Sequence, residues 1–68
     1  MQIEHNLTPS MLVDRREAAR LLGVSPGTVD NLRIRGQLRS LKIAARRLFD
    51  TADIRAFVDA AKAVQNNS

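Results

Sequence analysis

The chain has 68 residues, which is enough for one small domain with a thin core. It contains no cysteine and no tyrosine, and its only aromatic residues are Phe49 and Phe57. These counts exclude a disulfide framework, a cysteine zinc site, a tyrosine nucleophile and an aromatic platform for single strands. The net charge of +4 is unevenly spread: six basic residues and no acid stand between Arg33 and Arg47, while the remainder holds five basic and seven acidic residues. A positive patch this concentrated fits a nucleic-acid backbone.

No apolar run approaches ~18 residues and no basic-then-apolar leader opens the chain, so a soluble, cytoplasmic protein with no membrane partner is expected. Residues 1–11 lack a period and carry Pro9, which reads as a flexible N-terminal tail with His5 solvated in it. Residues 12–65 are expected to form the folded domain. The polar end at 66–68 is expected to be disordered.

The first helix is expected to start at Asp14. Asp14-Arg15-Arg16-Glu17 fits a capping box, in which Asp14 accepts from the Glu17 amide and Glu17 reaches back. Val13, just before the cap, can staple onto Ala18. Ala18, Leu21 and Leu22 share one apolar face, and Gly23 ends the helix. Arg15, Arg16 and Arg20 fall on the exposed side, where Arg15 or Arg16 can reach a phosphate. The link Gly23-Val24-Ser25-Pro26 matches a helix-turn-helix corner, with Val24 plugging it, Ser25 as cap and Pro26 at the first helical position.

In the second helix, about residues 26–35, Val29 and Leu32 face helix one. Gly27, Thr28, Asn31 and Arg35 are left on the other face, with Asp30 off it. Ser25, Thr28 and the Gly27 amide suit a phosphate at the helix N-terminus. Asn31 can pair with adenine, and Arg35 with guanine or a phosphate. Ile34 is an apolar residue on this outward side and is expected to pack under the hairpin. Gly36 suits a left-handed exit.

A two-stranded hairpin follows. Leu38, Leu41 and Ile43 are expected to supply core contacts and Lys42 to point to solvent. Ala44-Ala45 forms the turn, which is poor turn chemistry beside Asn-Gly. Arg46 and Arg47 sit at the tip, with Arg39 and Lys42 behind. A basic tip beside a recognition helix is a wing. The third helix is expected from Asp50, with Asp53 in the capping-box place. Ile54, Phe57, Val58 and Ala61 form its apolar face, with Phe57 as core anchor and Phe49 beside it. Val64 extends the stripe, so the helix can also meet a second subunit.

With these pieces in place the chain resembles the excisionase and MerR-type winged helix-turn-helix family over about residues 12–60. The matching residues are Glu17-Ala18-Ala19-Arg20-Leu21-Leu22-Gly23-Val24-Ser25-Pro26, Thr28-Val29, Gly36-Gln37-Leu38, Arg46-Arg47 and Asp53-Ile54-Arg55-Ala56-Phe57-Val58. The resemblance implies a mainly α fold with a small β-hairpin wing, no catalysis, no cofactor or metal, and double-stranded DNA as partner. It further implies an excisionase-like role on repeated sites, with cooperative self-association on DNA, bending, and an integrase as protein partner. Such a chain would be bacterial or phage-encoded and nucleoid-associated. A small MerR-like transcription regulator is the alternative within the same resemblance. A protein-interaction adaptor that borrowed the fold is a second alternative.

Overall fold

The computed structural model describes residues 11–66. They run β1 (Leu12–Val13), α1 (Arg15–Leu22), α2 (Pro26–Ile34), β2 (Leu41–Ile43), β3 (Arg46–Asp50) and α3 (Thr51–Asn66). The strands form an antiparallel sheet in the order β1-β3-β2. Three helices with this small sheet make a winged helix-turn-helix, as the sequence predicts. Of the tail expected at 1–11, residues 1–10, with His5 among them, lie outside the described residues, as do residues 67–68 of the end expected at 66–68.

Local chemistry sets each helix boundary. Asp14 caps α1 by accepting from the Glu17 amide at 2.8 Å. The expected return bond is replaced, because both Glu17 carboxylate oxygens accept from the Arg20 guanidinium. That bond holds the Glu17 carboxyl below its usual range and raises Arg20. At the end of α1, Gly23 takes a left-handed φ of 73°. Its amide bonds the Arg20 carbonyl and the Val24 amide bonds that of Ala19, a Schellman closure. Gly36, at φ 77°, closes α2 in the same way: Gly36 donates to Arg33 and Gln37 to Leu32. A side chain at either glycine would be forced into the left-handed region.

The core is Ala18, Ala19, Val29, Leu38, Phe49 and Ile54, with Val13, Leu22, Leu32 and Phe57 packed around it. Helix α1 is the hub, touching α2, α3, β1 and β3. Crowding on several sides explains its two buried alanines, which let neighbouring backbones approach. Leu21 was expected on this face. It is exposed, and Ala19 takes its place inside.

The sheet also differs from the pattern that the sequence predicts. Residues 12–13 form a strand rather than a bare lead into α1: Leu12 pairs with Asp50 and Val13 with Phe49. The sheet therefore has three strands where a two-stranded hairpin was expected. The Met11 amide and carbonyl also tie to Thr51. Phe49 lies on the central strand beneath α1 and α3 and is fully buried, so it is the anchor in place of Phe57, which is half-buried further along α3. Side chains alternate along a strand. With Phe49 facing inward, Leu48 and its partner Leu41 face outward, as does Ile43, which is 46% exposed. Leu41 and Ile43 are therefore not core residues. Ile34 lies five residues beyond Val29, about 140° round the helix, and is 69% exposed instead of tucked under the hairpin. Val24, expected to plug the corner, is 39% exposed and is not part of the buried core. Asp50 ends β3 and accepts from the Ala52 amide at 2.8 Å, so α3 starts at Thr51.

Candidate nucleic-acid interface

Val29 is fully buried and Leu32 packs against the core, which fixes how α2 is rotated. Gly27, Thr28, Asn31 and Arg35 are all exposed on its outward side. The start of the helix is doubly held. The Ser25 hydroxyl accepts from the Thr28 amide at 3.2 Å and lies 3.0 Å from the Thr28 hydroxyl. A Cβ built on Gly27 would meet only Ser25 Oγ, at 3.8 Å. Nothing in the chain itself requires glycine there, so its consequence is an open approach to the first-turn backbone.

The one acid of α2 is turned aside and neutralised. Asp30 Oδ2 accepts from Arg15 Nη2 at 2.8 Å and Oδ1 from Arg15 Nε at 3.3 Å. Arg15 thus pins α1 to α2 rather than standing free for a phosphate, a contact that local sequence does not predict. Arg16 is exposed beside it.

The wing divides its charges between two faces. Lys42 stands directly opposite Arg47, and Ile43 opposite Arg46. Arg47 shares its face with inward-pointing Phe49, whereas Arg46 lies on the outer face with Leu48. The two arginines grouped at one tip by the sequence thus point to opposite sides. Arg47 Nη1 also donates to Ser40 Oγ at 3.3 Å. Arg39 is exposed in the link before β2, and Arg33 is half-buried with its Nε unpartnered. The ion pairs among the described residues are Arg15–Asp30, Arg20–Glu17 and Arg55–Asp59. All three lie outside the Arg33–Arg47 window, so its positive charge is not neutralised from within.

Away from this surface, α1, α2 and α3 border an open groove of about 470 Å³. Leu22, Val24, Leu32, Phe57, Val58 and Ala61 line it together with Lys62 and Gln65. Among the described residues, no helix is long and apolar enough to cross a membrane.

A capped helix presented by a tight corner, with a basic wing alongside, defines a DNA-binding winged helix-turn-helix. The helix-turn-helix domain family profile matches residues 12–62, most of the chain, and the protein belongs to that family. No curated protein and no solved structure shows a significant match.

Proposed function

We propose that the protein binds double-stranded DNA sequence-specifically and acts as an excisionase-like recombination directionality factor. The observation that carries the DNA reading is the acid-free run of positive charge from the end of α2 through the wing, on which Arg35, Arg39, Lys42, Arg46 and Arg47 are exposed. Asn31 and Arg35 address base edges from α2 in the major groove. Ser25, Gly27 and Thr28 take a phosphate at its N-terminus. Arg39, Lys42 and Arg47 lie along the flanking backbone, with Arg16 on the α1 side. Arg15 and Arg46 contribute at longer range, because one is bonded to Asp30 and the other faces outward.

The excisionase-like role rests on size and surface. One module of this kind buries only ~600–1,000 Å² of protein surface, so a lone copy binds weakly and benefits from neighbours on repeated sites. Exposed apolar surface is available for such neighbours: Val64 on α3 is 70% exposed. In this role the protein is a binding factor rather than an enzyme, bends its DNA and steers an integrase towards excision. A small MerR-like regulator would use the same face.

A gel-shift titration tests the proposal, with DNA flanking the protein's own gene beside a scrambled duplex of equal length. Stepwise cooperative ladders on the native DNA alone are expected. A single shift on the native DNA would favour the regulator. Equal weak binding to both duplexes would remove sequence specificity, and no binding by the folded protein would leave the adaptor reading.

A further inference from the structure

The wing carries part of the positive surface on the least supported element of the molecule. Leu41, Lys42 and Ile43, the whole of β2, are exposed, so burial does little to hold the strand in place. The turn joining it to β3 is Ala44-Ala45, and both residues take positive φ, 50° and 68°. A two-residue hairpin turn with both φ values positive is a type I′ turn, which Asn-Gly enters readily and L-alanine resists. Beyond the turn, Lys42 and Arg47 face each other directly, and like charges so placed weaken strand pairing. No acid stands between Arg33 and Arg47, and Asp50, the next along the chain, falls on the opposite face of β3 and accepts from the Ala52 amide. Three independent features therefore oppose closure of the same hairpin. One of them, the charge opposition, changes sign when a polyanion lies against that face.

We propose that the wing is only partly closed in the free protein and closes on the phosphate backbone of duplex DNA, so that the Ala44-Ala45 turn limits affinity. The proposal rests on the DNA-binding reading above. Apparent affinity falls in proportion to the fraction of molecules whose binding surface is formed. Turn residues that touch no DNA thereby set how tightly the protein binds.

The experiment is amide hydrogen exchange by NMR on the full chain, free and with a short random-sequence duplex, for wild type and an A44N/A45G double variant. In free wild type, the Ile43 and Arg46 amides should exchange far faster than those of Ala18 and Ile54, and duplex should slow them. The double variant should slow them without DNA and bind the same duplex about 3–10-fold tighter, with an unchanged salt slope because it adds no contact. Wing amides as protected as the core in free wild type would overturn closure while leaving DNA binding intact. A variant with a protected wing and unchanged affinity would also overturn it. A chain that binds no duplex would overturn both closure on DNA and the reading beneath it.

Discussion

The α1–α2 corner is fixed at each joint. Asp14 and Ser25 cap the two helix starts, Gly23 and Gly36 supply the left-handed exits, and Arg15 bonds Asp30 across the pair. The wing has an alanine turn, an exposed strand and opposed cations. Both regions present residues suited to DNA, yet one is braced by caps and an ion pair and the other is not. A preorganised helix can read base edges, where small displacements break a bidentate pair. A compliant wing suits the backbone, where contacts position the protein without reading sequence. On the proposed DNA-binding reading, the division of labour between reading and holding would follow this division in local support.

The core supports both regions. Phe49→Ala should cost ~3–5 kcal/mol in urea denaturation, enough to unfold so small a domain. Phe57→Ala should cost less, because Phe57 sits half-exposed at the groove. Equal losses would mean that the two rings share the anchoring role.

At the corner, Asn31→Ala should shift preference at one base pair by ~1–3 kcal/mol if it reads a base edge from a rigid helix. A binding survey across single-base variants of the site checks this. Uniform weakening across all sequences would assign Asn31 to the backbone. The cap beneath it is worth ~1 kcal/mol, so Ser25→Ala should lower stability by about that much in thermal melts.

On the wing, Lys42→Ala with Arg47→Ala should flatten the salt slope of DNA binding by ~1 to 2 units, while Arg46→Ala should leave it nearly unchanged. A slope that responds equally to all three arginine and lysine changes would contradict the two-faced wing. Gly27→Ala gives the smallest structural effect: its Cβ has room, so stability should hold while binding weakens. Unchanged binding would place the DNA away from the α2 N-terminus.

Much of the corner was legible because its chemistry is local. Asp14, Ser25, Pro26, Gly23 and Gly36 sit within a few residues of the groups they satisfy, and Val29 and Leu32 mark a face by spacing alone. What escaped depends on partners far along the chain. The strand at Leu12–Val13 is two residues long and gains its identity only by pairing with Phe49 and Asp50. Once Phe49 pointed inward, strand parity sent Leu41, Ile43 and Arg46 to the outer face; no pattern within 38–47 reveals that choice. The exchange of Leu21 for Ala19 came from crowding around α1, and the loss of Arg15 to Asp30 from a contact fifteen residues apart. The acid-free charge window was legible from the outset because it is a property of composition. Its division between two wing faces was not.

In the proposed complex, DNA lies against the outward side of α2 and the inner face of the wing. The most direct test is a titration of ¹⁵N-labelled protein with duplex DNA, following backbone amide shifts. The largest changes are expected at Gly27, Thr28, Asn31, Arg35, Lys42 and Arg47, with little movement at Phe57, Ala61 and Val64. Changes concentrated on α3 and its groove, with α2 and the wing unmoved, would contradict it.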